Sequence, residues 1–140
     1  MRVVLDTNVL VSGLLSAQGS PGRIVDAVMA GRIVPVMSMA TLAELEDVLH
    51  RPRLQIYFRR ADVTPFQFLT TLHALADFVS PKASKQTIRD AKDRPFIELC
   101  ATRPKPEFIV TGDRDFEQAR YHGVKVIGAA EFAKLLAADA

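Results

Sequence analysis

Four acidic residues stand where apolar runs give way to helical patterns. Arg2-Val3-Val4-Leu5 runs straight into Asp6-Thr7-Asn8, Glu44 sits early in the helical pattern after the second apolar run, Asp93 comes just before Pro95, and Asp113 follows Phe108-Ile109-Val110-Thr111-Gly112. An apolar run that stops on a carboxylate places that acid at the carboxyl end of a buried strand, where ligands bind in open α/β sheets. If all four junctions open on one sheet edge, four carboxylates converge without being close in sequence, and such a cluster asks for a divalent cation. Oxygen ligands without imidazole or thiolate favour Mg²⁺ or Mn²⁺ over zinc. The three histidines, His50, His73 and His122, lack metal-ligand spacing, and Cys100 lies among apolar residues of a helical pattern, where it reads as a small core residue. Neither a Ser-His-Asp arrangement nor a Gly-x-x-x-x-Gly-Lys phosphate loop is present.

Each acid also has an ordinary local use. Asp6 can cap the helix behind it, although Asn8 adds a second oxygen two residues on, more than a cap requires. Thr41-Leu42-Ala43-Glu44 has the spacing of a capping box, in which Glu44 reaches back to a backbone amide. The core stripe of Leu42, Leu45, Val48 and Leu49 does not separate Glu44 from Glu46; an earlier helical turn lies closer to the sheet edge and favours Glu44. Pro95 belongs in a first helical turn, which makes Asp93 or Arg94 the cap and leaves Asp90 as an auxiliary. Asp113 can order an Asx-turn, and Asp115 is placed to cap the helical pattern after it.

The elements that must position these acids alternate in type. A strand at residues 2–5 leads into a helix at 7–15, and a turn at Gly19-Ser20-Pro21-Gly22 opens a second helix that runs to about Ala30 and stops at Gly31. Ile33-Val34-Pro35-Val36-Met37 reads as a strand whose proline demands a strand end or a sheet edge. Ser38 can cap a helix over 39–50, which Pro52 stops. A helical region over 54–76, interrupted near Thr64-Pro65, precedes a weak strand at Phe78-Val79-Ser80. A helix at 95–102, a strand at 108–111, a short helix at 115–121, a strand at 124–127 and a helix at 129–137 complete the chain. Strands alternating with helices predict a parallel sheet covered on both faces, in one domain over residues 1–140.

The chain has 140 residues, 49% of them hydrophobic, enough for a real core. Its apolar stretches fall well short of the ~20 residues needed to span a bilayer, and its first strand starts too early for a signal peptide, so the expected place is the cytoplasm without membrane contact. The net charge of +2 favours an anionic partner only mildly. Basic residues gather at His50-Arg51-Pro52-Arg53, Arg59-Arg60, 82–92 and 103–105; the plain reading of any one cluster is solvated surface.

At these residues the chain resembles the PIN-domain family, and within it the stand-alone bacterial proteins regarded as toxins of toxin-antitoxin pairs. The matching stretches are Val3-Val4-Leu5-Asp6-Thr7-Asn8-Val9-Leu10-Val11-Ser12, Leu42-Ala43-Glu44-Leu45 with Val48-Leu49, residues 90–99, and Ile109-Val110-Thr111-Gly112-Asp113-Arg114-Asp115-Phe116. Gly123-Val124-Lys125-Val126-Ile127 and Glu131-Phe132 carry it nearly to the end of the chain. The resemblance implies a three-layer α/β/α fold with a central, mainly parallel sheet and Mg²⁺- or Mn²⁺-dependent cleavage of RNA phosphodiesters. It assigns metal binding, and with it catalysis, to Asp6, Glu44, Asp93 and Asp113, with Asn8, Thr111 and Asp115 in support; Asp90 joins them as the auxiliary read from its place before Asp93. Basic side chains around such a site, with Arg51, Arg53, Arg89, Lys92 and Arg94 as candidates, would hold phosphates without reading bases. Candidate partners are RNA, a cognate antitoxin protein and a second copy in a homodimer. Arg103-Pro104-Lys105-Pro106 departs from the small, Gly-containing turn expected before the fourth strand.

Two other readings remain. In a haloacid-dehalogenase-type phosphatase Asp6 would be the nucleophile, but the second acid expected two positions on is here Asn8. A PIN module that binds RNA or a partner without cleaving is the third.

Overall fold

The computed structural model describes residues 1–82, 91–112, 116 and 118–139, without the side chains of Ala61 and Lys92. Strands β1 (Arg2–Leu5), β2 (Val34–Met37), β3 (Asp77–Phe78), β4 (Phe108–Thr111), β5 (Arg120–Tyr121) and β6 (Val124–Gly128) form one sheet in the order β3-β2-β1-β4-β6-β5. All neighbours pair in parallel except β5 with β6. Helices α1 (Thr7–Leu15), α2 (Ser20–Met29), α3 (Met39–Leu49), α4 (Gln55–Ala61), α5 (Pro65–Leu75), α6 (Arg94–Leu99) and α7 (Ala129–Ala138) flank it.

Side chains alternate across the strands, and the core divides accordingly. Val3, Leu5 and Val110 face a large cluster built with Val9, Ile24, Leu45, Phe68 and Phe132. Val4, Val36 and Ile109 face a smaller one with Phe96, Ile97, Leu99 and Cys100. Burial pushes the Cys100 thiol up to about 12, which keeps it protonated and unreactive, as a core residue. The mainly parallel, helix-covered sheet expected from the sequence is therefore present.

Pro35 occupies a strand that is not at the sheet edge. The Val34 amide donates to the Met1 carbonyl, so the Pro35 nitrogen faces the other side, toward β3, and β3 begins to pair only at Val36. The missing donor falls where the sheet has a local edge. The third strand comes one residue earlier than expected, at Asp77–Phe78, where Arg2 reaches past β2 to bind Asp77 Oδ2 at 2.6 Å.

The helix expected at residues 115–121 is not formed where the structure describes it. Arg120–Tyr121 are β5, joined to β6 by His122 and Gly123, both at positive φ (50° and 82°). A two-residue loop with positive φ at both positions matches the twist of an antiparallel hairpin, and burial of Tyr121 anchors it. Arg103-Pro104-Lys105-Pro106 lies at the amino edge: Arg2 donates to the Pro104 carbonyl and Lys105 to the His122 carbonyl. This departure is thus at the end of the sheet remote from Asp6.

Candidate active site

Because β1, β2 and β4 run parallel, Asp6, Ser38 and Gly112 leave the sheet on one edge. Asp6 is held there through its whole backbone. Its amide donates to the Val110 carbonyl at 3.0 Å, extending the ladder with β4, and its carbonyl accepts from Val9 and Leu10 at the start of α1. The residue is only 7% exposed. Oδ1 accepts from the Asn8 amide at 2.9 Å, so the capping role read from the sequence is real, but it uses one oxygen. Thr111 donates through Oγ1 to Oδ2 at 3.2 Å, a longer and weaker contact that joins the ends of β1 and β4.

Glu44 is not in the capping box expected of it. The box is made by Ser38 and Thr41: the Thr41 amide donates to Ser38 Oγ at 3.2 Å and the Ser38 amide to Thr41 Oγ1 at 2.9 Å. With Thr41 engaged one turn earlier, Glu44 accepts at Oε2 from the buried Thr7 hydroxyl at 2.8 Å. Thr7 follows Asp6 directly, so this bond brings α3 to the end of β1. Sequence reasoning included Thr7 in the strand-end motif without giving it a role; its signal was a β-branched hydroxyl beside the first acid.

Asp93 closes a 3₁₀ turn (Ala91–Asp93) and stands at the N-cap of α6, yet its side chain makes no capping hydrogen bond. Its Oδ2 is withdrawn from solvent. The connection from β3 to the parallel β4 must return the chain from the carboxyl edge to the amino edge. Helix α6 makes part of that return, so Asp93 is at the end of α6 nearer Asp6. Among the described residues Asp6, Glu44 and Asp93 do not by themselves form a three-ligand group. Asp113, Asp90, Asp115 and Arg89 lie outside the described residues.

Of the candidate basic residues, Arg94 is half-buried at the start of α6, beside Asp93. Lys92 is placed by its backbone in the turn before it. Arg51 and Arg53 are exposed beyond the far end of α3, seven and nine residues after Glu44 and past the last helical residue, Leu49. Arg51 there faces Asp47 at 3.8 Å, an exposed pair of little energetic weight.

The donor set suits a hard cation: carboxylate oxygens, one of them aimed by a threonine hydroxyl, one fixed by a second threonine and one shielded from water. Among the described residues no helix is long and apolar enough to cross a membrane. An uncharacterized protein of Methanocaldococcus jannaschii is 29% identical over 120 residues, 86% of this chain and 76% of its own length. Residues 2–115 match the sequence profile of the PIN domain. With that match over most of its length, the chain belongs to the PIN-domain family, whose members are in general nucleases that bind nucleic acid and use divalent metal ions.

Proposed function

We propose that this protein is an Mg²⁺- or Mn²⁺-dependent endoribonuclease whose site comprises Asp6, Glu44, Asp93 and Asp113. The observation that supports it best is the pair of bonds at the end of β1. Thr111, two residues before Asp113, holds Asp6 Oδ2, and Thr7 holds Glu44, so three segments distant in sequence are tied together at one sheet edge. A phosphodiester is anionic and bare carboxylates repel it. A divalent ion, when bound, offsets that repulsion, acidifies water for attack and stabilises the leaving oxygen. Asp6, Glu44, Asp93 and Asp113 would hold the ion, while Asn8, Thr7 and Thr111 keep the first two carboxylates oriented and Asp90 and Asp115 stand in support. Arg94, Lys92 and Arg89 would engage RNA phosphates near the acids, with Arg51 and Arg53 on the flank.

Residues 1–140 would act as one cytoplasmic domain, as the toxin of a toxin-antitoxin pair whose antitoxin blocks this edge, with a homodimer as the candidate assembly. A small adjacent gene encoding a DNA-binding protein that co-purifies with this chain would support the toxin role.

Asp6→Asn and Asp93→Asn test the site. Asn at position 6 keeps Oδ1 for the Asn8 amide, so the fold should persist by circular dichroism while Mn²⁺-dependent RNA cleavage is lost. Full activity in both variants would refute the assignment. RNA binding without cleavage by the wild type would make the protein a non-catalytic module, and turnover of a small phosphomonoester instead of RNA would point to phosphatase chemistry.

A further inference from the structure

Beside Asp6 and Thr111 the carboxyl edge opens into a cleft of about 560 Å³, within the ~300–1,000 Å³ typical of small-molecule sites. Asn8 and Ser12 of α1, Ser20 at the start of α2, Thr111, Gly112 and Gly128 line it, and none of its described lining residues is charged. Among the described lining residues, hydroxyl and amide groups rather than ion-pairing side chains face the cleft. Hydroxyl and amide groups on small apolar walls suit an uncharged sugar and base.

The glycines of the lining point the same way. Gly128 has φ −74° and ψ 157°, which any residue adopts, and a methyl group there would meet nothing within 4 Å among the described residues. At Gly112, whose φ is not positive, a methyl would touch Val9 Cγ2 at an ordinary 3.7 Å. Among the described residues, neither backbone conformation nor internal packing asks for glycine at these places. Gly13 shows the contrast: its methyl would lie 2.3 Å from the Pro21 carbonyl oxygen, so glycine there lets α1 and α2 approach. Glycine without an internal reason, facing a cleft, leaves room for a ligand to approach the backbone.

Since Thr111 both lines the cleft and donates to Asp6, an occupant would sit next to the bond being cut. We propose that the cleft holds the ribose and base of the nucleotide flanking the scissile phosphodiester. A base seated there must be unstacked, so the substrate strand would be unpaired at that position. The identity of this ligand rests on the ribonuclease function proposed for the acidic site.

The test fills the cleft from two points of its lining with Gly128→Leu and Ala130→Met. Fluorescence anisotropy then reads binding of a single-stranded oligoribonucleotide, with Ca²⁺ replacing Mn²⁺, and hydrolysis of bis(p-nitrophenyl) phosphate with Mn²⁺ reads the acidic site without nucleosides. Each variant should bind the oligonucleotide about tenfold more weakly, equivalent to ~1.4 kcal/mol, with wild-type hydrolysis of the small diester and an unchanged melting temperature. Wild-type binding by both variants would overturn the cleft, whether or not the protein cleaves RNA. Cleft-dependent binding by a wild type that cleaves neither substrate would keep the cleft and overturn the ribonuclease reading. A wild type that does not bind the oligonucleotide would overturn both.

Discussion

Thr7→Val replaces a hydroxyl by a methyl of similar size at a buried position, so it isolates the bond to Glu44 Oε2 at 2.8 Å. Hydrogen bonds to charged groups contribute about 1.5–3 kcal/mol, and because Glu44 is half-buried and can turn to water, the lower figure applies. At roughly 3–4 °C per kcal/mol for a domain of this size, the variant should melt about 5 °C below wild type without metal. If Glu44 is a metal ligand, losing the group that orients it should also weaken Mn²⁺ binding by about tenfold, the lower end for outer-shell partners. At a hundred times the wild-type Kd, Mn²⁺ stabilises wild type by about 2.7 kcal/mol and such a variant by only about 1.4 kcal/mol. The stability gap should then widen from about 1.5 kcal/mol without metal to nearly twice that with it. Thermal melts with and without Mn²⁺, backed by calorimetric titration, measure both quantities, and Thr7→Ser should restore most of each. A gap unchanged by Mn²⁺ would show that Thr7 only joins α1 to α3, and Glu44 would drop out of the site.

Ser38→Ala removes the cap of α3 and should cost about 1 kcal/mol in chemical denaturation while leaving Mn²⁺ affinity at the wild-type value; a loss of affinity would mean that the cap also sets the position of Glu44. Cys100 should resist a thiol reagent at pH 8 in the native protein and react promptly once unfolded. Since its folded pKa of about 12 exceeds the ordinary thiol value of 9.0, its contribution to stability should be complete below pH 9 and diminish above it; Cys100→Ala should flatten that part of the denaturation profile. Neutralising Arg51 and Arg53 together as Gln should reduce the dependence of RNA binding on salt, and an unchanged slope would leave them as solvated surface.

The alternation of strands and helices was legible because strands buried on both faces are nearly continuous apolar runs, as in Val3-Val4-Leu5 and Phe108-Ile109-Val110. The acid at the end of the first run was legible for the same reason: a change from apolar to charged is a local event, and Asp6 does stand where it occurs. The β5–β6 hairpin was not. Arg120–Tyr121 is too short to show a period, and His122 takes a positive φ that its residue type permits without announcing. Thr41-Leu42-Ala43-Glu44 shows the sharper limit. Its spacing satisfies a capping box, but Thr41 is already engaged with Ser38, and Glu44 instead meets a hydroxyl 37 positions away. Local spacing tells which bonds a residue can make with its neighbours. Which bond it does make depends on the groups that chain crossing brings within about 3 Å, and only the register of β1 against β2 and β4 sets that distance.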